Sequence, residues 1–180
     1  ETDRFRQLIH AQGVTLYMGL LAAFLVVLYK YSSQKDMVIG TGVMGRRHAC
    51  LENVIGMFVN TLAIRYFPIG EMPYDEFLGQ VKDNNIKAFE NQDVQFEALV
   101  ERLNLPRDPA HNPLFDVLFV LQNFETGELL LDGAVLTPCL LEKKNSKFDL
   151  TLFARDKGEH VVFELEYSTA LFKHETVERL

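Results

Sequence analysis

The chain has 180 residues and a mass of 20.6 kDa, enough for one domain with its own core or for one lobe of a larger domain. Hydrophobic residues make up 48% and charged residues 24%, and 18 basic against 25 acidic residues leave a net charge of −7. This balance excludes a disordered chain and a general nucleic-acid binder. Cys50 and Cys139 form no Cys-x-x-Cys pair, so no disulfide framework or zinc site is predicted and a reducing, cytoplasmic setting fits.

The first part of the chain predicts two helices. Residues Thr2–Ile9 form a short amphipathic helix that Gly13 ends, and Thr15 caps a second, strongly apolar helix with Lys30 near its C-terminal end. The uncharged stretch 11–29 offers about 14 strongly apolar positions, where a membrane span needs about 20. A helix buried on all sides is therefore favoured over a membrane span. The start at Glu1, without Met or a signal sequence, indicates a piece of a longer protein.

The remaining elements mix strands with helices. A strand at Met37–Ile39 is predicted to enter an irregular segment, 40–46, and a second strand is predicted at 60–67. A charged amphipathic helix follows over 74–90, with its apolar side at Phe77, Leu78, Val81, Ile86 and Phe89, and then a short helix over 96–103. Further strands are predicted at 114–121, covered on both faces, and at 135–141, 148–154 and 161–167, with a turn at 156–158 and a last helix over 175–180. This pattern predicts the α/β class without an internal repeat.

The glycines of Gly40-Thr41-Gly42-Val43-Met44-Gly45 satisfy the G-x-G-x-x-G pattern of dinucleotide-binding domains. That function needs a helix that opens at the second glycine and an acidic residue about 20 positions further on. Neither is present, since Gly56 interrupts the expected helix and the next strand ends in Arg65-Tyr66. A nicotinamide-binding domain remains a minor alternative, and close approach of the backbone to another segment is favoured.

Three strings further along the chain resemble, in order and spacing, the motifs of condensation domains of nonribosomal peptide synthetases. Residues 54–65, V-I-G-M-F-V-N-T-L-A-I-R, resemble the family's I/V-G-x-F-V-N-T motif. Residues 91–97, N-Q-D-V-Q-F-E, resemble N/H-Q-D-x-P-F-E, and residues 107–114, R-D-P-A-H-N-P-L, resemble R-D-x-S-x-N-P-L. The resemblance covers nearly the whole chain. Gln95 replaces the usual Pro, Gly42 stands where Pro is common and Ala110 replaces a Ser, which leaves the detailed loop geometry open.

The family's H-H-x-x-x-D-G signature, whose second His is implicated in catalysis, is missing from these 180 residues, and all five histidines are isolated. In the family's order that motif lies upstream, in the N-terminal lobe. The resemblance therefore implies that residues 1–180 are the C-terminal lobe alone, without a catalytic residue of its own and inactive by itself. The implied fold is a chloramphenicol-acetyltransferase-like lobe, a mixed sheet packed with helices.

The implied reaction is attack of an acceptor α-amine on a donor thioester carbonyl, which forms an amide and frees a carrier thiol. No metal or bound cofactor is implied, and both substrates are tethered to the 4′-phosphopantetheine of carrier proteins. The implied partners are the N-terminal lobe, peptidyl carrier proteins and an adjacent adenylation domain, with neither nucleic acid nor membrane. The protein's task is to orient two substrates and stabilise tetrahedral charge, and the missing His would position or deprotonate the amine.

The candidate site residues follow from the motifs. Asn60 is the first candidate, because an amide both accepts from an amine and donates to a carbonyl oxygen, while bonding to nearby backbone is the alternative. The other predicted cleft residues are Gly56, Phe58, Gln122 and Asn123, with core packing as the alternative for Phe58. Residues predicted at the lobe interface or in structural ion pairs and caps are Arg46, Arg65, Gln92, Asp93, Arg107 and Asp108, and for the two first-named arginines ion pairs with Asp93 or Asp108 are one explanation.

A second hypothesis from another class is a docking module that has lost its chemistry and binds a carrier protein or a neighbouring domain. The basic cluster Lys143, Lys144 and Lys147 would suit an acidic carrier protein, although a solvated loop is the simpler interpretation. The intact string Gly56–Asn60 favours condensation over the related epimerisation and heterocyclisation domains. A lobe expressed alone is expected to expose an apolar face and to self-associate.

Overall fold

The computed structural model describes residues 1–46, 48–51, 53–105, 108, 111–122 and 145–180. The helices are α1 (Thr2–Ala11), α2 (Leu16–Ser32), α3 (Tyr74–Glu90), α4 (Phe96–Leu103) and α5 (His174–Val177), with a 3₁₀ turn at Ala49–Leu51. The strands are β1 (Met37–Met44), β2 (Val59–Tyr66), β3 (Val117–Gln122), β4 (Leu150–Asp156) and β5 (Val161–Tyr167). The strand predicted at 135–141 lies outside the described residues.

The five described strands form one mixed sheet in the order β2-β1-β3-β4-β5. The central pairs, β1 with β3 and β3 with β4, are parallel, whereas the outer pairs, β1 with β2 and β4 with β5, are antiparallel. Parallel neighbours need crossover connections, and α3 and α4 lie in the crossover from β1 to β3. The predicted α/β class with a mixed sheet is confirmed.

One face of the sheet, the core face, is covered by α2 and α3. Leu25, Leu78 and Val81 have no exposed surface, and from the sheet Phe119 is equally buried. The prediction of a buried helix is confirmed for the first part of α2, where Met18–Ala22 and Phe24–Leu25 are all buried in the core, whereas residues 26–29 are half-buried and residues 30–32 are exposed. Among the described residues no single helix is long and apolar enough to cross a membrane, and α1 with α2 meets that test only as a pair bent by 107°.

Several local predictions are confirmed in detail. The Thr15 side chain accepts a hydrogen bond from the backbone N–H of Met18, and Lys30 lies in the last turn of α2. Gly158 has a φ of +80°, which the turn between β4 and β5 requires. The predicted helices at 74–90 and 96–103 and the strand at 161–167 have the predicted bounds.

The prediction of an irregular segment over 40–46 is wrong, because β1 continues to Met44 and pairs with β2 along its full length. The glycines are tolerated in this strand because they face away from the core face. On that second face Gly40 is covered by the Phe115 ring, which a Cβ would overlap. With a strand in place of a helix after the second glycine, no helix N-terminus faces a pyrophosphate, and the dinucleotide-binding alternative is wrong.

Three smaller expectations also differ. In α3 the buried polar residue is Asn85, whereas Ile86 is 41% exposed. The Asn85 Nδ2 donates to the Val81 carbonyl at 2.7 Å, which satisfies the donor side of the amide, while its buried Oδ1 has no hydrogen-bond partner among the described residues. The strand predicted at 114–121 begins at Val117 and is not covered on both faces, since Phe119 is its one fully buried residue. The last helix runs over His174–Val177.

Candidate functional site

The connection between β1 and β2, residues 45–58 with 47 and 52 outside the description, is organised by Arg46. Its guanidinium donates to the backbone carbonyls of Leu51, Val54 at 2.8 Å and Gly56 at 3.1 Å. The same group lies over the Phe58 ring, 4.3 Å from the ring centroid. Guanidinium has five N–H donors in a rigid plane, so one side chain holds three carbonyls and one ring. These contacts tie together a connection whose regular structure is limited to the 3₁₀ turn at Ala49–Leu51.

Apolar side chains of this connection face outward. Ile55 is fully exposed, Met57 is 92% exposed, and Val59 and Met44 follow with 58% and 61%. We call these four residues the exposed strip. They line a surface concavity of about 530 Å³ together with Arg46 and Phe58. A contiguous apolar surface on an ordered segment marks a contact site.

Gly56 and Phe58, both predicted for the cleft, lie beside this strip. A Cβ on Gly56 would come within 3.1 Å of the Phe58 ring, which explains a small residue there. Phe58 is half-buried under the Arg46 guanidinium, and its carbonyl accepts from the Gly45 N–H at 2.9 Å. The structure thus brings Arg46, Gly56 and Phe58 together, while their roles toward a substrate stay predictions.

Asn60 lies at the start of β2 and is 7% exposed. Its Nδ2 donates to the carbonyl oxygens of Gln92 and Val94, each at 2.8 Å. Its Oδ1 accepts from the N–H of Thr61 at 2.9 Å and of Phe96 at 3.3 Å. The alternative of backbone bonding therefore describes its contacts in this structure, although the partners include a segment more than 30 residues away.

The predicted interface and structural residues divide into separate groups. Arg65 pairs with Asp36, with Nε–Oδ1 at 2.7 Å and Nη2–Oδ2 at 2.5 Å, so the expected pairing with Asp93 or Asp108 is wrong for this arginine. Arg46 likewise donates to backbone carbonyls and not to the carboxylates of Asp93 or Asp108. Asp36 was missed because it lies 29 residues from its partner, and only the strand register brings the two together.

Side chains of the second and third motifs make local contacts in this structure, which is the structural alternative given for them above. The Gln92 side chain donates to the Phe89 carbonyl at 2.7 Å, which satisfies one of the last carbonyls of α3. Asp93 is exposed in the connection between α3 and α4. Asp108 accepts from His111 at 2.8 Å, and this bond raises the pKa of the exposed His111 ring. Arg107 lies outside the described residues.

Gln122 ends β3 on the second face of the sheet. Its Oε1 accepts from Arg155 Nε at 2.6 Å, and Arg155 also reaches Glu164 at 3.2 Å, so a polar row runs across β3, β4 and β5. This is the bonding to a neighbouring strand that was the alternative to a cleft role. Asn123, Lys143 and Lys144 lie outside the described residues, and Lys147 is exposed.

An aromatic cluster on the second face was missed by the sequence analysis. Phe115 and Phe148 stack with ring centroids 5.3 Å apart, and Phe96 meets Phe115 edge-on at 5.7 Å. Phe115 covers Gly40, and its ring occupies the room left by the missing side chain of this glycine. The three rings are widely separated in sequence, and the pattern F-D at both 115–116 and 148–149 was the available signal.

A second cavity of about 550 Å³ lies where β1, β3 and β4 begin, and it is lined by Asp116 and Asp149 among mainly apolar residues. Burial, with the nearby Asp116 carboxylate, raises the pKa of Asp149. Across the described part of the chain, no group of three or more His, Cys, Asp or Glu residues is arranged to hold a metal ion.

Comparison with known proteins defines the class. A family model described as the condensation domain matches residues 1–180, and the chain belongs to the condensation-domain family. Bacitracin synthase 3 of Bacillus licheniformis is 50% identical over 179 residues, which are 99% of this chain and 3% of that protein. Tyrocidine synthase 3 of Brevibacillus parabrevis is 47% identical over 178 residues, again 99% and 3%. The chain thus spans a small fraction of the curated relatives it matches.

Solved structures agree with the fold. A four-domain nonribosomal peptide synthetase bound to AMP and glycine matches with a TM-score of 0.87 and 25% identity over 97% of this chain and 14% of that one. The X-domain from teicoplanin biosynthesis matches with a TM-score of 0.80 and 23% identity, over 97% of this chain and 40% of that one. The predicted chloramphenicol-acetyltransferase-like α/β fold is confirmed by these neighbours.

Proposed function

We propose that residues 1–180 are the C-terminal lobe of a nonribosomal peptide synthetase condensation domain. The family match and the similarity to peptide synthetases support this assignment. The absence of H-H-x-x-x-D-G from these residues supports a division in which another lobe of the same domain carries the catalytic His. The chain alone is then inactive, and the active unit is the complete condensation domain.

The observation that carries the proposal is the exposed strip. The residues that match the family's I/V-G-x-F-V-N-T motif include the most exposed apolar side chains of the described structure, Ile55 and Met57. Burial of these side chains by a partner would be favourable by roughly 25 cal/mol for each Å² of apolar surface removed from water. Arg46 nevertheless holds the segment in one shape. An ordered apolar surface of this kind suits a permanent contact with the N-terminal lobe.

The parent domain forms an amide between two carrier-bound substrates. The acceptor amine nitrogen attacks the donor thioester carbon, the C–N bond forms, the C–S bond breaks, and the proton lost by nitrogen is taken up as the carrier thiol is released. Orientation of the two tethered reactants lowers the barrier most, because it replaces an encounter by a reaction within one complex. The lobe described here contributes walls and orientation, and the His of the other lobe handles the proton.

The partners follow from this reaction. Peptidyl carrier proteins deliver both substrates on 4′-phosphopantetheine arms, and an adenylation domain of the same synthetase loads the acceptor carrier. We place the protein in the cytoplasm, where such synthetases meet their substrates. Gly56 and Phe58 are proposed to line the substrate cleft. Arg46 and Arg65 are proposed to support the lobe contact, and Gln92 and Asp93 lie at the α3–α4 connection.

The test is amide formation from two aminoacylated carrier proteins by the parent synthetase carrying Met57→Lys. A lysine there would place an unpaired charge in the lobe contact, and we expect the rate to fall at least about tenfold. Leu171→Lys is the matched control, because Leu171 is also exposed, at 61%, but lies far along the chain beyond β5. Its rate should stay within about twofold of wild type, as for an ordinary surface change.

Equal rates for the Met57→Lys variant and wild type would contradict the lobe contact. A folded wild-type parent that carries the double-His motif but forms no amide would instead support the docking module. Pull-down of the carrier protein by that inactive parent then separates docking from loss of all function.

A further inference from the structure

The first turn of α4 is capped by a side chain of strand β2, that of Asn60. Gln95, the residue before the helix, makes no side-chain cap. The N–H of Phe96, the first helical residue, donates instead to Asn60 Oδ1 at 3.3 Å. The first N–H groups of a helix have no partner within it, so an outside acceptor satisfies a group that would otherwise depend on water. Asn60 lies 36 residues earlier, in β2.

The same side chain also holds the segment that leads into α4. Its two N–H groups donate to the carbonyl oxygens of Gln92 and Val94, at 2.8 Å each, and Oδ1 takes a second bond from Thr61. A primary amide offers two donors and two acceptor lone pairs, and all four are used here. Asn60 is buried, so a substrate group could bond to it only by displacing one of these partners.

The position of α4 decides the shape of the second face of the sheet. Leu99 and Leu103 of α4 lie beside Val38 and Ala63 in a shallow groove on that face. The Phe96 ring meets Phe115, which in turn stacks on Phe148 above Gly40. A shift of α4 would therefore move the aromatic cluster as well as its own helix. The hydrogen bonds of Asn60 thus influence the second face of the sheet, because they hold Phe96, whose ring contacts the aromatic cluster.

We propose that Asn60 is a positioning residue of the condensation reaction, which acts by fixing residues 92–96 and α4, and that it does not contact the substrate. This inference rests on the proposed function for its kinetic part. Its structural part stands on the four hydrogen bonds alone. Among the common side chains, Asp lacks the two donors, Ser has one donor, and Ala has no polar group at all.

The experiment combines hydrogen exchange with kinetics in the full parent chain. In Asn60→Ala and Asn60→Asp, we expect amide exchange over residues 92–99 to rise at least about tenfold, since the segment loses its bonds. Asn60→Ser keeps one donor and one acceptor and should give a smaller rise, which provides a milder variant if the others fold poorly. Asn91→Asp is the matched control, because Asn91 donates a single exposed bond to the Lys87 carbonyl at 2.8 Å. Its exchange should match wild type.

Kinetics separate positioning from contact. Leu99→Ala loosens α4 without touching Asn60, so a positioning role predicts that Asn60→Ser and Leu99→Ala lower kcat with the same split between kcat and KM. Their double variant should lose less than the product of the single losses, because both act through α4. The proposal would be overturned if Asn60→Ser lowers kcat while hydrogen exchange stays unchanged, if Leu99→Ala has the wild-type kcat, and if the loss in the double variant equals the product of the single losses. If the wild-type parent forms no amide, the proposed function fails, and unchanged exchange in the Asn60 variants would still overturn the positioning role separately.

Discussion

The core face of the sheet and the β1–β2 connection use similar apolar residues in opposite ways. On the core face Leu25, Leu78 and Val81 have no exposed surface, and contacts among apolar side chains hold the helices in place. In the connection Ile55 and Met57 are almost wholly exposed, and the polar bonds of Arg46 hold the backbone. The first region is complete within this chain, whereas the second is ordered without being covered.

This difference shows that hydrophobicity and burial are separate properties of a segment. A core is stabilised by removal of its side chains from water, so order and burial arise together. The connection obtains its order from a guanidinium that binds carbonyls and a ring, which leaves its apolar side chains available to another surface. An apolar strip that is rigid before it is covered loses little conformational entropy when a partner binds.

The largest effect is expected from a core truncation. Phe119→Ala removes a ring with no exposed surface and should lower the free energy of unfolding by about 3–5 kcal/mol. Met57→Ala, in the exposed strip of the same chain, should change it by no more than about 0.5 kcal/mol. Urea denaturation followed by circular dichroism measures both. Comparable losses in the two variants would break the distinction between the regions.

A second comparison uses two glycines of β1 that face the same side of the sheet. Gly40→Ala places a methyl group in the Phe115 ring and should cost about 1–3 kcal/mol, as overfilled sites do. Gly42→Ala meets nothing nearer than Val59 Cγ1 at 4.0 Å and should be tolerated within about 0.5 kcal/mol. Thermal unfolding of both variants decides the point, and equal midpoints would show that the aromatic cluster yields freely.

A third prediction concerns the order of the connection itself. Arg46→Lys keeps the charge but not the planar fork, and an ammonium cannot bind three spread carbonyls and lie over Phe58 in the same way. We expect limited proteolysis within residues 48–58 to become at least about fivefold faster, while global unfolding changes little. Arg155→Lys, in the polar row on β4, is the control. Unchanged cleavage in the Arg46 variant would mean that the strip is held by something else.

The smallest effect is a pH dependence at the outer edge of the core face. The hydrogen bond from Arg6, at 2.6 Å, holds the pKa of Asp156 below its usual value, and a backbone bond from Gly158 adds to this. Because the folded-state pKa is the lower one, the pair stabilises fully above about pH 4 and is lost as pH falls through the folded-state pKa.

Both side chains of this pair are partly exposed, so solvent and salt screen it. The difference in urea midpoint between wild type and Asp156→Asn should be small at pH 7 and vanish toward pH 2.5. A difference that grows on acidification has the wrong sign for this pair and would contradict the assignment.

Most helix and strand boundaries could be predicted from the sequence, because local signals specify them. Thr15, Gly158 and the 3.6-residue pattern of α3 act within a few residues of themselves. The pattern failed where distant contacts decide the outcome. The glycines of β1 are strand residues because β1 pairs with β2 along its full length, and Phe115, 75 residues away from Gly40, occupies the space that this one glycine leaves.

The candidate site was predicted as a set of residues but not as a geometry. The motif at 54–65 drew attention to Arg46's neighbours Gly56 and Phe58 and to Asn60, whose roles toward a substrate stay predictions. Sequence alone could not tell that Asn60 bonds to residues 92–96, because that contact depends on how α3 returns to the edge of β2. Nor could it show that Ile55 and Met57 face outward, since their composition suits a core equally well.

The most direct test is hydroxyl-radical footprinting of the methionines in this chain and in the parent synthetase. In the isolated chain Met57 and Met44, 92% and 61% exposed, should be oxidised much faster than Met18 and Met37, which are 8% and 6% exposed. If the exposed strip is the contact with the other lobe, the Met57 rate in the parent should fall to that of Met18, while Met18 and Met37 keep their rates. A Met57 that is oxidised equally fast in both would contradict the account, because the strip would then remain uncovered in the complete enzyme.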